Sequence, residues 1–246
     1  MCGRYRIKDT DILTEHLRKT FGIPAWVKDR NAPRFNIAPG QDCPVITFTD
    51  DEGDVLPTPS MQMMRWGLVP FWEKSEKPKL APINAKAETV ATTGMFKNSV
   101  QKRRCLVPAD GFYEWLRLDE KTKYPFDIHL KGNRPFVMAG IYEKATETRP
   151  ATFALLTTAP NELMSRIHDR MPAILDDEEA KTWLRRGAIV PEQVAALTTS
   201  HPAEDMEAIP ISSLVNSPRS DVPEILTPVA STPPPKPLKQ EQGELF

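Results

Sequence analysis

A mixed α+β fold is predicted for this chain, and three observations predict it. Strand-length runs of alternating apolar and polar residues recur from Pro44 onward. Stretches with helical spacing, bounded by capping residues, lie before and between them. The chain also carries 25 prolines in 246 residues, about twice the ordinary usage of roughly 5%. Proline at that density argues against a helical bundle and for short strands with irregular connections. The length allows one large domain or two small ones, with ample room for a core.

Taken in order, Asp9 or Thr10 caps a helix running to about Thr20, with Leu13, Leu17 and Phe21 on one face and Gly22 as its stop. His16, beside that stripe, reads as a partly buried or surface residue. Pro33 to Gly40 is bracketed by prolines and extended. Pro44 to Thr49 reads as a strand and Asp50 to Gly53 as its turn; Met61 to Trp66 is the next strand. Asn84 to about Ala91 looks helical. Arg104 to Pro108 and Gly111 to Leu116 read as strands joined through Ala109-Asp110-Gly111. Tyr124 to Leu130, Arg134 to Tyr142 and Thr152 to Thr158 follow as strands, and the alternation in the first of these sets His129 toward solvent. Helices are expected over Asn161 to Ile167, from Asp176 or Asp177 to Arg186 with Gly187 beyond, and from Pro191 to about Leu197. His201 sits in a loop without a clear role. From Pro218 the prolines crowd and apolar residues thin out, so 218–246 reads as a disordered tail behind a domain spanning 1–217.

Composition narrows the function classes. The chain is 40% apolar and 26% charged with a net charge of −1, so bulk charge does not announce a nucleic-acid partner. Residues 71 to 104, however, are locally basic. No apolar run reaches the roughly 20 residues of a membrane span, and no apolar leader is expected. Cys2, Cys43 and Cys105 form no CxxC pair and leave an odd count, which fits a reducing cytoplasm. Their spacing matches no common zinc pattern, so neither metal nor cofactor is expected.

Several residues carry chemistry. Loss of Met1 would leave Cys2 with a primary amine, ordinarily titrating at about 7.7–8.0, beside a thiol at about 8.5. Such a 1,2-aminothiol captures aldehydes: the amine forms a Schiff base and the thiol closes a thiazolidine. Glu114 alternates with Tyr113 and Trp115; it is either an outward-facing strand residue or a carboxyl buried among aromatics, whose pKa burial would raise toward general-acid duty. Trp66, Phe71 and Trp72 cluster beside Lys74, Lys77 and Lys79, an arrangement suited to stacking unpaired bases.

Six segments resemble one family in register: Met1 to Tyr5, Pro33 to Pro39, Trp66 to Pro70, Asn84 to Thr89, Arg104 to Trp115 and Ile167 to Pro172. The family is SRAP, the SOS-response-associated peptidases, whose members sense abasic sites, and the resemblance covers roughly residues 1 to 217. It implies a curved, barrel-like β-core with flanking helices and a groove for single-stranded DNA. It further implies that Cys2 crosslinks, as a thiazolidine, to the ring-opened aldehyde of an abasic site. On that resemblance Asn84 orients the attack, Glu114 shuttles protons and assists release of Met1, and His168 aids sugar-ring opening and reversal. Arg4, Asn36 and Arg170 are expected on the DNA, and Phe71 and Trp72 as an aromatic wedge. Lys86 stands where the family often has Arg, giving a point charge instead of a bidentate fork, and Gly94 where some members are basic.

Two other readings remain open to the sequence. One is a cysteine peptidase using Cys2, His168 and Glu114, the other a non-covalent binder of modified or single-stranded DNA. The expected partner is single-stranded DNA carrying abasic sites, bound by a monomer in the cytoplasm, at the nucleoid if bacterial. The last five residues resemble the Gln-x-x-Leu-Phe peptides that dock on the bacterial sliding clamp, which makes Gln242, Leu245 and Phe246 candidate anchors on a tether.

Overall fold

Backbone pairing gathers the strands into two sheets. The structure, a computed structural model, describes residues 2–23, 32–48, 58–75 and 78–229. In chain order the elements are β1 (Tyr5–Ile7), α1 (Thr10–Phe21), β2 (Arg34–Ile37), β3 (Asp42–Phe48), β4 (Pro59–Trp66), β5 (Asn84–Lys86) and α2 (Lys97–Lys102). Then come β6 (Arg104–Ala109), β7 (Gly111–Arg117), β8 (Lys123–Leu130), β9 (Phe136–Glu143), β10 (Thr152–Thr158) and α3 (Glu162–Ser165). The chain continues with β11 (Met171–Pro172), β12 (Ile174–Leu175), α4 (Asp177–Leu184), α5 (Pro191–Leu197) and β13 (Met206–Pro210).

The smaller sheet has the order β13-β8-β7-β1-β2; the larger runs β11-β10-β4-β3-β6-β9-β12, with β5 added to β10 and β9 also paired to β10. The larger sheet is therefore ring-like. It is not closed into a barrel, because two seams are short: β4 meets β10 through Arg65–Thr152 and Trp66–Phe153, and β3 meets β6 through Ile46–Leu106. Mixed α/β architecture thus holds, with few helices, all on the flanks of sheet.

The core fills the ring. Trp66 stacks on Phe153 with centroids 6.2 Å apart and takes the edge of Tyr5 at 5.4 Å; such pairs add about 0.5–1.5 kcal/mol beyond area burial. Helix α1 forms as its sequence predicts. Asp9 accepts from the Ile12 amide at 3.0 Å, Leu13, Leu17 and Phe21 are buried, and Gly22 ends the helix at φ 69°, a left-handed conformation that favours glycine.

Three expectations need correction. Residues 84–91 are not helical. Asn84, Ala85 and Lys86 pair in parallel with Leu155, Leu156 and Thr157, so ladder bonds to a buried strand outweigh the helical preference of the alanines. His129 does not face solvent. The opposite face of β8 packs onto a buried ionic cluster, and the His129 ring is 4% exposed, with Nδ1 3.1 Å from Asp127 and Nε2 3.5 Å from Glu207. Finally, 218–229 is not part of a disordered tail. Pro223–Leu226 forms a 3-10 turn that buries Ile225 against Tyr113, Ile211 and Val215, and the Val229 amide donates to Pro210 O at 3.0 Å. A few apolar residues among the prolines suffice to seal the smaller sheet. The turn at 50–53, Lys77, and the tail from 230 with Gln242, Leu245 and Phe246 lie outside the described residues.

No helix among the described residues is long and apolar enough to cross a membrane.

Candidate active site

Strand β1 places Cys2. Its pairing with β7, Tyr5 to Phe112 and Arg6 to Gly111, is extended by the Tyr113 amide donating to Arg4 O at 3.0 Å. Continuing that register sets Gly3 opposite Glu114 and Cys2 opposite Trp115, near enough to Glu114 for its charge to act on the Cys2 thiol. The strand is held in place by Arg6, a fully buried guanidinium that pairs with Asp110 and, through two nitrogens at 2.8 and 3.0 Å, with Asp127. Burial alone would raise the Asp127 carboxyl, but hydrogen bonds from His129 and Arg6 hold it below its ordinary value. Asp110 also accepts from the amides of Lys8 and Asp9 at 2.7 and 2.9 Å. Gly111 is required here. A Cβ on it would lie 2.5 Å from the Arg6 guanidinium carbon.

Around Cys2 the polar groups converge. Cys2 is buried, and Asn84 at the start of β5 donates through Nδ2 to its carbonyl at 2.8 Å. The Asn84 Oδ1 is buried with no hydrogen-bond partner among the described residues. Burial, and then the charge of Glu114, push the Cys2 thiol well above its ordinary value. Glu114 is 2% exposed, and burial pushes it up to about 7, with the Asp169 carboxylate adding to the rise. Asp169 belongs to the loop that carries His168. There the Arg170 amide donates to His168 Nδ1 at 3.0 Å, and the Asp169 carboxylate lies 3.0 Å from the same nitrogen.

The residues expected on DNA divide into three groups. Phe71 and Trp72 are 58% and 48% exposed and pack edge to face at 5.0 Å, and Lys86 is exposed on the same strand as Asn84. Arg4 and Arg170 are engaged within the protein. Arg4 donates to Asn36 Oδ1 at 2.8 Å and Val215 O at 2.7 Å. Arg170 makes a bidentate pair with Glu88 at 2.7 and 2.8 Å and also donates to Thr157 O. Asn36 is buried and donates to Ser217 O and Ser220 O at 2.9 and 2.7 Å. Its amide ties down the segment after β13.

Sequence reasoning gave no role to Glu88, Arg6, Asp110, Asp127 or Asp221. Glu88 lay inside a quoted motif, and its partner Arg170 inside another, but no spacing links them. Asp221 accepts from the amides of Phe35 and Asn36, a contact spanning most of the chain. The three thiols are free and buried, and among the described residues no group of three His, Cys, Asp or Glu side chains is placed to hold a metal ion.

Comparison with known proteins places this geometry. The family profile described as SOS response associated peptidase (SRAP) matches residues 1–218. Abasic site processing protein YoqW of Bacillus subtilis is 41% identical over 231 residues, covering 92% of this chain and 99% of its own. Abasic site processing protein HMCES of Gallus gallus is 33% identical over 236 residues, covering 84% of this chain and 69% of its own. A crystal structure of a protein from Bacteroides thetaiotaomicron superposes with a TM-score of 0.76 at 28% identity, covering 93% of this chain and all of that one.

Proposed function

The chain belongs to the SOS response associated peptidase (SRAP) family, and on that premise we propose that it processes abasic sites by crosslinking them to Cys2 in single-stranded DNA. The observation that carries the proposal is the buried pair at the end of β1. A cysteine whose carbonyl is held by Asn84 lies beside Glu114, a carboxyl pushed up to about 7.

Such a carboxyl is about half protonated at neutrality and serves in both directions. Once Met1 is removed, the Cys2 amine attacks the aldehyde carbon of the ring-opened deoxyribose. Glu114 in its acid form protonates the carbinolamine hydroxyl, which leaves as water and gives the imine. The Glu114 carboxylate then takes the thiol proton, and sulfur closes on the imine carbon as the nitrogen is reprotonated. The balance is one water lost. His168 is the candidate for opening the sugar ring and reversing the crosslink, the latter a lyase-like step. Phe71 and Trp72 would stack on the neighbouring base, and Lys86 would meet a phosphate. Arg4 acts by holding the turn after β13. Arg170 acts through its contacts with Glu88 and His168.

A peptidase acting in trans is disfavoured by the thiol itself. The nucleophile is the thiolate, and burial holds the Cys2 thiol well above its ordinary value. Removal of Met1 is the peptidase step that the Cys2, Glu114 and His168 arrangement favours. We further propose action in the cytoplasm, near replicating DNA, through clamp docking by Gln242, Leu245 and Phe246. Deleting 242–246 should abolish clamp pull-down, and undiminished capture by the truncated protein would rule the docking out.

The decisive experiment is intact mass after mixing with single-stranded DNA bearing one abasic site. Wild type should gain the DNA mass less one water, after Met1 loss, and Cys2→Ala should gain nothing covalent. Equal adducts in both proteins would defeat the mechanism. DNA retained without any adduct would leave the non-covalent binder.

A further inference from the structure

A second cleft, of about 550 Å³, opens where β3 ends, β6 begins and β9 ends, and is closed by α2 and the segment after α4. Its charge is one-sided. Among the described residues Lys102, Arg104, Arg185 and Arg186 line it and no carboxylate does, in a chain whose net charge is −1. Arg104 forms the floor. It is buried, and its acceptors are neutral carbonyls: Val100 and Gln101 at the end of α2, Trp183 and Arg185 at the end of α4, and Gly187. Among the described residues no acidic side chain pairs with it. The Lys102 and Arg185 side chains are exposed and make no hydrogen bond or ion pair among the described residues. The wall adds two aromatics, half-buried Phe48 and buried Tyr142, and the exposed amide of Asn98.

A ring surface for stacking, an amide for a base edge and the two exposed cations Lys102 and Arg185 together match one ligand chemistry, a nucleobase joined to phosphate. We propose that this cleft binds a phosphate-bearing nucleotide, with Lys102 and Arg185 on the phosphate. The cleft is separate from the Cys2 site but close to it along the sheet. Tyr142 pairs with Phe153 on one side of β10, and Asn84 pairs with Leu155 on its other side, two residues further along, which is about 7 Å along the strand and two strand spacings of about 4.8 Å across it. A stretch of DNA strand and a free nucleotide share this chemistry.

The test uses the full chain and DNA without any abasic site, so that it stands or falls apart from the crosslinking reading. Anisotropy is read with a short and a long oligothymidylate, and separately with a fluorescent nucleoside triphosphate, for wild type, Lys102→Glu/Arg185→Glu and the charge-keeping Lys102→Arg/Arg185→Lys. Both positions are exposed, so thermal midpoints should agree among the three proteins. If the cleft holds strand phosphates, charge reversal removes the advantage of the long oligomer. It also reduces the slope of log affinity against log salt by about 1.4, at about 0.7 per single-strand phosphate contact, and the charge-keeping variant restores both. If the ligand is a free nucleotide, charge reversal abolishes triphosphate binding instead. Unchanged binding of both probes overturns the proposal.

Discussion

Replacing Glu114 by Gln should make the protein more stable above neutrality while removing the proton shuttle beside Cys2. The wild-type carboxyl is 2% exposed and raised from its ordinary 4.5 to about 7, so solvent screening discounts little. Between those two pH values the folded chain holds a proton that the unfolded chain has released. Stability therefore falls as pH rises through this window, and levels off above about 7 once both states are ionised. A rise of that size corresponds to about 3 kcal/mol. Gln keeps the shape without the titration, so the variant should match wild type near pH 4.5 and gain progressively to about 3 kcal/mol by pH 8. For a chain of this size that is about 6–12 °C in melting temperature. Thermal unfolding followed by circular dichroism, run on both proteins across the window, reads the gap directly. Adduct formation should meanwhile slow by about 100-fold or more, since Gln transfers no proton. A stability gap that does not widen with pH would refute the burial argument, whatever the adduct rate does.

Two further changes probe the DNA face and the anchor of β1. Phe71→Ala and Trp72→Ala should each weaken binding of undamaged single strands by about 1–3 kcal/mol with melting temperature unchanged, because both rings are largely exposed; fluorescence anisotropy checks this, and equal affinity would remove the wedge. Gly111→Ala places a Cβ 2.5 Å from the Arg6 guanidinium carbon, so overpacking should cost about 1–3 kcal/mol. The urea midpoint should fall accordingly, and the adduct rate with it, because β1 carries Cys2.

Local patterns in the sequence determined much of this protein. Helix α1 was legible because its cap, its apolar stripe and its stop all lie within fourteen residues, Asp9 to Gly22. The sequence left Glu114 either buried among aromatics or outward-facing, and Phe71 and Trp72 either stacking or core residues; the fold buries the first and exposes the pair. Tertiary structure decided the rest, because the forces that settled it join residues far apart in the chain. Asn84 to Lys86 looked helical until β10 supplied hydrogen-bond partners some seventy residues away. His129 alternated correctly along its strand, yet its face was buried by Asp127 and Arg6, on a network the spacing of neighbours does not encode. Asn36 and Arg170 were polar residues in strong motifs, which identifies them as important without saying what they hold. Burial and competing internal partners assigned Asn36 to the segment beyond β13 and Arg170 to Glu88. Local preference selects an element's type within one or two turns, whereas the occupancy of a polar side chain depends on which partner the fold brings within about 3 Å.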